Sequence, residues 1–463
     1  MEIILNIVYL ISSIFFIFGI KKLSSPKTAR QGNLYAAIGM LLAIIATLLD
    51  KQVITYEYII LGLIIGATIG TLMAVKVQMT GMPQMVGLLN GFGGGASALV
   101  ATSEFYKVFN NPALSFELSV IISIVLSVLI GGVTFTGSLI AFGKLQGLVT
   151  GKVVKYTGQN AINVLLLLAV VVGGVLVVLD PSKQMILLGI LSISLILGVL
   201  LVLPIGGADM PVAISLLNSY SGLAASMTGF VLQNNMLIIA GALVGASGII
   251  LTLIMTKAMN RSLMNVLLGG WDSAGSVSGA GSSEIKGDVK SVDAEEAAMI
   301  FDAAQSVIIV PGYGMAVAQA QHAVRDLMNI LESKGINVRF AIHHVAGRMP
   351  GHMNVLLAEA QVEYDKLYAL EDINDDFSNT DVVLVVGAND VVNPAARSDK
   401  NSPIYGMPIL NVDYAKTVIV NKRSLNVGYA GISNELFFKP NTLMYFGDAK
   451  EAISKLVNEI KEL

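Results

Sequence analysis

Through the first part of the chain, apolar residues run on without amphipathic interruption, each time for about the 20 residues that a membrane-spanning helix requires. Such runs fall at 3–20, 33–50, 57–75, 83–101, 117–142, 160–179, 184–203, 210–231 and 235–257, which predicts nine spanning helices. Further on the pattern changes. Short apolar runs at 306–310 (SVIIV), 337–342 (NVRFAI), 366–370 (KLYAL), 381–386 (DVVLVV), 407–412 (MPILNV) and 417–421 (TVIVN) are separated by helical or turn-forming segments, with helices expected through 314–333, near 351–360 and at 447–461. Wholly apolar strands separated by helices belong to a parallel sheet covered on both faces. The expected architecture is therefore a polytopic α-helical membrane domain, 1–261, followed by a doubly wound, Rossmann-like α/β domain, 291–463. A linker at 262–290 joins them, because DSAGSVSGAGSSEIKGDVKS at 272–291 has the Gly/Ser-rich composition of a flexible tether.

Composition sharpens this division. Of 463 residues 54% are hydrophobic and only 13% charged; residues 1–261 carry a net +6, whereas 262–463 carry a net −9. An acidic soluble part argues against nucleic-acid binding, which needs a concentrated positive surface. The absence of cysteine removes disulfides, thiolate metal sites and Cys nucleophiles together. All four histidines (His322, His343, His344, His352) lie in the soluble part. The first run lacks the basic start and small-residue cleavage site of a signal peptide, and Lys21, Lys22, Lys27 and Arg30 follow it, so its N-terminus is expected outside. Alternate loops agree. Lys76, Lys144, Lys152, Lys155, Lys257 and Arg261 fall on the expected cytoplasmic side, against Lys51, Lys107 and Lys183 on the other, which places the C-terminal domain in the cytoplasm.

The membrane part contains an internal repeat. Met82-Pro83, Leu88-Leu89-Asn90, Gly94 and Ala96 recur 128 positions later as Met210-Pro211, Leu216-Leu217-Asn218, Gly222 and Ala224, with Phe92 and Tyr220 also matched. Proline is tolerated in a helix's first turn, so each copy opens a helix. Each Asn follows its Pro by seven residues and lies roughly 10 Å inside the membrane. Asn and small residues at such depth either hold helices together or line a path for an ion.

The soluble part carries a nucleotide signature. SVIIV-PGYGMAV has a strand, a Gly312-x-Gly314-x-x-Val317 turn and a helix start, the setting in which glycines let a backbone approach a phosphate at a helix N-terminus. An NAD site would add an acid near the end of the second strand; His343, His344 and Arg348 stand there instead, which favours NADP. Gly387-Ala388-Asn389-Asp390 follows the fourth strand. Lys422-Arg423-Ser424 follows the TVIVN strand with two cations and a hydroxyl suited to a phosphate, and Gly428-Tyr429-Ala430-Gly431 suits a mobile flap.

These segments, with INVRFAIHHVAGRMPGHMNVLLAEA, INDDF, GANDVVNPAA, NKRSLNVGYAGISNELFF, FGDAK and the membrane motif ADMPVAISLLNSYSG, resemble the beta subunit of the proton-translocating nicotinamide nucleotide transhydrogenases essentially end to end. The resemblance implies that this chain binds NADP(H) and that an alpha partner, with further membrane helices, binds NAD(H). Hydride then passes directly between the two nicotinamides while protons cross the membrane part. It also implies a dimer of the alpha–beta unit in a bacterial inner membrane, and a nucleotide lying reversed relative to other dinucleotide folds. Carried over by motif, Gly312, Tyr313, Gly314, Val317, Val345, Ala346, Gly347, Arg348, Met349, Pro350, Gly387, Ala388, Asn389, Asp390, Val391, Gly406, Met407, Asp448 and Ala449 would form the pocket. Lys422, Arg423 and Ser424 would hold the 2′-phosphate, with Leu425, Asn426, Val427, Gly428 and Tyr429 as a lid. Asp390 would link nucleotide to proton, and Asn90, Asp209, Asn218, Gly248 and Arg261 would serve conduction or coupling. Some relatives carry His where Asn90 stands, so the titrating group is expected on a partner helix. The competing readings are a nucleotide-gated channel or transporter with a Rossmann-like sensor, and a membrane-tethered dehydrogenase.

Overall fold

The structure is a computed structural model and describes the chain except residues 1, 24, 50–55, 78–80, 112–116, 152, 261, 268–287, 350, 403 and 429. Of the positions singled out above, Arg261, Pro350, Tyr429, Lys51, Lys152 and most of the expected linker lie outside the described residues. Two compact units are present: one takes in 1–206 and 212–252, the other the C-terminal part together with 207–211 and 253–266.

The first unit is helical. Its long helices are α1 (Glu2–Leu23), α2 (Pro26–Leu48), α3 (Glu57–Lys76), α4 (Met82–Phe109), α5 (Leu118–Gln146), α6 (Gln159–Leu179), α7 (Gln184–Val202), α8 (Met210–Val231) and α9 (Asn235–Ala258), the last running beyond the unit's edge. Among the described residues eight helices are long and apolar enough to cross a membrane. The other is α8, whose Ser215, Asn218, Ser219, Ser221, Ser226 and Thr228 lower its hydropathy.

The repeat has a structural counterpart in how each copy meets the next helix. A Cβ on Gly94 would lie 2.6 Å from Thr134 Cβ and 2.9 Å from Gly131 O of α5. One on Gly222 would overlap Gly245 N and lie 2.9 Å from Gly241 O of α9. Both glycines therefore mark backbone-to-backbone contact, the packing small residues allow where lipid supplies no hydrophobic drive between helices. Polar groups are satisfied across the same seams. Ser127 of α5 donates toward Ser97 O (3.2 Å) of α4 and meets Thr228 Oγ1 (2.9 Å) of α8, joining three helices at a buried point. Lys144, counted above among loop charges, lies in the last turn of α5, buried, and donates to Ile205 O at 2.8 Å, satisfying a carbonyl just beyond α7.

The C-terminal sheet has six parallel strands: β1 (Ser306–Pro311), β2 (Asn337–Ile342), β3 (Leu367–Ala369), β4 (Val382–Val386), β5 (Thr417–Lys422) and β6 (Thr442–Phe446), in the order β3-β2-β1-β4-β5-β6. Helices α10 (Ala294–Asp302), α11 (Tyr313–Val317), α12 (Gln321–Ser333), α13 (His352–Glu359) and α14 (Ala449–Glu462) accompany it, with α10 and α12 packed on α14. Two expectations need correcting. MPILNV at 407–412 is not a strand: β4 already has β1 and β5 on its two sides, and the segment lies in the core as a turn, with Leu410 and Val412 fully buried. They join Phe377, Leu436 and Phe437 from other short turns over Ile308, Val383 and Val418, so this sheet face is covered mainly by loops and 3-10 turns. The sixth strand is TLMYF. The helix expected through 314–333 is broken at Gln319, which adopts φ +51°.

Gly222→Ala is expected to destabilise the membrane part by about 1–3 kcal/mol, the usual cost of overpacking. Gly189→Ala, at a glycine with nothing within 4 Å, should be nearly neutral. Comparable melting of the two variants in detergent would contradict the packing argument.

Candidate functional site

Strand order reverses between β1 and β4, where an open parallel sheet leaves a crevice at its carboxyl ends. The glycine turns after these strands meet there. Gly312 N donates to Val386 O (2.9 Å) and Gly314 N to Gly387 O (2.9 Å), while Gly387, at φ +65°, donates to Asn421 O (3.1 Å) at the end of β5. A Cβ on Gly312 would overlap Ala388 Cα, and one on Gly314 would lie 2.7 Å from Gly387 Cα. The signature glycines thus serve the junction of two loops. The amides of Gly312 and Gly314, at the start of the five-residue α11, are committed to the neighbouring loop, so their close backbone approach is spent on that junction.

The cleft above this junction has a volume of about 560 Å³, within the range of small-molecule and cofactor sites. It gathers Gly312, Tyr313, Gly314 and Val317; Val345, Ala346, Gly347 and Arg348; and Gly387, Ala388, Asn389, Asp390 and Val391. Met407, Lys422, Arg423, Ser424, Asn426, Val427, Gly428, Asp448 and Ala449 complete the expected set. Met349, Gly406 and Leu425 are not in its lining. Ala430 of the expected flap and Gly447 of the FGDAK motif also line it. Ala318, Ile404 and Asn421 are lining residues the sequence reading missed, each within a few residues of one it named.

Lys422 anchors one wall. Its Nζ donates to Asn426 O (2.7 Å) and Asn389 Oδ1 (3.3 Å) and sits 4.8 Å from the Phe437 ring centre. Burial pushes its pKa down to about 8, with the charge of Asp390 acting in the opposite sense. Arg423 beside it is exposed. Asp390 Oδ2 accepts from Ala430 N at 3.0 Å. A Cβ on Gly428 would lie 2.5 Å from both Asn389 Nδ2 and Asp390 Oδ1, so a side chain there would have to move the ends of these two side chains. Across the cleft Arg348 lies 4.5 Å from the Tyr313 ring centre, and its amide donates to His352 Nδ1 (3.1 Å). Burial, then the charge of Arg348, pushes His352 down to about 4.

His343 is not a cleft residue. It is buried, its Nε2 donates to Pro408 O (2.7 Å) and its Nδ1 accepts from Val345 N (3.2 Å), so it is neutral and structural; burial pushes its pKa down to about 4. His344 pairs with Glu371 at 2.8 Å on the surface. Asp448, besides lining the cleft, caps α14 by accepting from Lys450 N (3.1 Å).

In the helical unit Asn90 is buried and its Nδ2 donates to Ile214 O of α8 at 3.4 Å, while Asn218 is half-buried one turn further along α8. Gly248 is a packing position: a Cβ there would lie 2.8 Å from Ser219 Cα, and its carbonyl accepts from Thr252 Oγ1 at 2.7 Å. Asp209 closes the 3-10 turn Gly207–Asp209 that precedes α8 in the chain.

Residues 5–459 match the family model described as NAD(P) transhydrogenase beta subunit. Proteins named NAD(P) transhydrogenase subunit beta from Rhodospirillum rubrum, and from a designated strain of that species, are each 50% identical over 454 residues, covering 97% of either chain. The chain therefore belongs to the NAD(P) transhydrogenase beta-subunit family. As a member it is a multi-pass membrane protein of a transhydrogenase that uses nicotinamide nucleotides, and its being a beta subunit implies an alpha-subunit partner.

With Lys422 lowered in the folded protein, the unfolded chain binds the extra proton between about pH 8 and 10.5. Stability without nucleotide should therefore rise with pH across that window. Lys422→Met removes this rise. Melting temperatures of both proteins between pH 8 and 10 test it, and parallel profiles would refute it.

Proposed function

We propose that this family member binds NADP(H) in the cleft and passes hydride to or from NAD(H) held by an alpha partner, coupled to proton movement through its membrane helices. The observation that carries this reading is Lys422. It is a half-buried cation bonded to neutral oxygens, beside Arg423 and Ser424, at the end of β5. A nucleotide 2′-phosphate supplies the anion that corner lacks, with charge-assisted hydrogen bonds. The committed amides of the glycine turn argue for the reversed nucleotide orientation expected of the family, because a pyrophosphate laid there would find few free donors.

When bound, the nicotinamide supplies the hydride chemistry, and the protein's part is position. Arg348 over Tyr313 forms one wall and the Asn389–Asp390 turn the floor. Ala430, bonded through its amide to Asp390, lines the same side of the cleft. Asn90 and Asn218 do not titrate near neutral pH, so they orient water for a titrating group on a partner helix. Asp209 and Arg261 serve coupling, and Gly248 serves by letting α8 and α9 approach. We further infer the arrangement 1–261, 262–290 and 291–463 as membrane domain, linker and nucleotide domain. The N-terminus would lie outside and the nucleotide domain in the cytoplasm of a bacterial inner membrane, within a dimer of alpha–beta units.

Lys422→Ala with Arg423→Ala should weaken NADP binding by several kcal/mol and change NAD binding little. Calorimetric titration of the solubilised chain tests this, and equal wild-type affinities for the two nucleotides would sink the assignment. In vesicles carrying the whole complex, Asn218→Leu should abolish proton pumping while nucleotide binding stays normal. Pumping at the wild-type rate would return Asn90 and Asn218 to a purely structural role.

A further inference from the structure

Between Lys422 and Asp390 stands the carboxamide of Asn389. Its Oδ1 accepts from Lys422 Nζ at 3.3 Å and its Nδ2 donates to Asp390 Oδ1 at 3.1 Å. Asn434 lies behind it and is 2% exposed. Its Nδ2 donates to Asn389 O (3.0 Å) and Asn389 Oδ1 (3.3 Å), while its own Oδ1 accepts from Leu436 N (2.9 Å). Neither amide is free to turn over. Leu436 N–H and Lys422 can only donate, and Asn389 O can only accept, so each end of both carboxamides faces a group with one possible role. Asn434 therefore dictates which end of Asn389 points at the cation and which at the carboxylate. Were Asn389 reversed, its NH₂ would face Lys422 and its oxygen Asp390, and both contacts would become repulsive.

We propose that Asn434 is a positioning residue for nucleotide selectivity: by fixing Asn389 as a neutral spacer between Lys422 and Asp390, it keeps the lysine from collapsing onto that carboxylate and leaves its charge for a phosphate monoester. Among the described residues the Lys422 ammonium accordingly donates to Asn426 O and Asn389 Oδ1 and to no carboxylate. The proposal rests on the cleft being the site of a 2′-phosphorylated nucleotide.

Asn434→Asp tests it with little change in volume. Aspartate still accepts from Leu436 N, so the turn at 435–438 keeps its cap, but an acceptor now faces Asn389 O and Oδ1. In the solubilised full-length chain alone, so that the alpha partner's NAD site does not contribute, affinities for adenosine 2′,5′-bisphosphate and for 5′-AMP are measured beside those for NADP and NAD. The expected result is a fall of at least tenfold in the ratio of 2′-phosphorylated to unphosphorylated affinity. The pH at which NADP binding weakens should also move upward, because Lys422 gains a carboxylate neighbour. If the variant is recovered unfolded, Asn434→Ser, which keeps a side-chain acceptor for the cap but cannot reach Asn389, is read in the same way. A ratio and pH profile within twofold of wild type, while Lys422→Met still collapses the ratio, would overturn the spacer and leave the nucleotide site standing. A ratio unmoved by Lys422→Met would overturn both.

Discussion

The C-terminal domain depends on two glycine turns meeting backbone to backbone between β1 and β4. Gly312 and Gly314 lie so close to Gly387 and Ala388 that no Cβ fits, and two amide–carbonyl bonds close the contact. The amide of Gly387 then ties the same loop to Asn421 at the end of β5. From this follows the placement of Asn389 and Asp390 opposite Lys422, since both loops leave the sheet from positions the junction fixes. Gly428 comes to rest against the side-chain ends of Asn389 and Asp390. Side chains at Gly312, Gly314 or Gly387 would separate backbones that must stay within hydrogen-bonding reach, a loss much larger than the local cost of ordering glycine.

The helical unit solves a related problem in another solvent. Lipid gives no hydrophobic reward for bringing helices together, so contact must come from close packing and internal hydrogen bonds. Gly94 of α4 against α5, Gly222 of α8 against α9 and Gly248 of α9 against α8 supply the first, while Ser127 with Ser97 and Thr228 supplies the second. The duplication visible in the sequence is thus a duplicated helix-to-helix seam, with Asn90 and Asn218 at matching positions along α4 and α8. That is more construction than an anchor for a dehydrogenase needs, and membership of a transhydrogenase family sets aside the sensor-gated channel.

Much of this was legible. The long helices begin and end within a few residues of the apolar runs, except that α2 begins seven residues earlier at Pro26 and α4 and α5 run on into more polar turns, because burial in lipid forces apolar composition. Strands β1, β4 and β5 were equally plain, being apolar on both faces, and β2 was legible despite Asn337 and Arg339 at its start. MPILNV and TLMYF could not be told apart by composition: both are short and apolar, and only the occupied flanks of β4 decide which one joins the sheet. The break at Gln319 has no Gly or Pro to announce it. The junction made by the signature glycines was not legible, because a glycine needed for a neighbouring loop and one needed for a phosphate look identical in one dimension. Ser127 left no signal because serine in a membrane helix usually bonds its own preceding turn.

Lys422 connects stability to selectivity. A cation half removed from water, with neutral oxygens for partners, disfavours the empty folded state, and its lowered pKa records that cost. On the proposed reading a 2′-phosphate would remove the cost and add charge-assisted bonds, and a nucleotide without one would leave it in place, so discrimination would come from both terms, the gain for one ligand and the unrelieved penalty for the other. It survives only while no carboxylate of the protein reaches the cation first. Asp390 lies close enough to be felt electrostatically and is itself occupied with Ala430 N, so the identity and orientation of the group between it and Lys422 decide how much charge the cleft retains. A neutral amide held from behind is well suited to that position: it bonds to both neighbours without cancelling either.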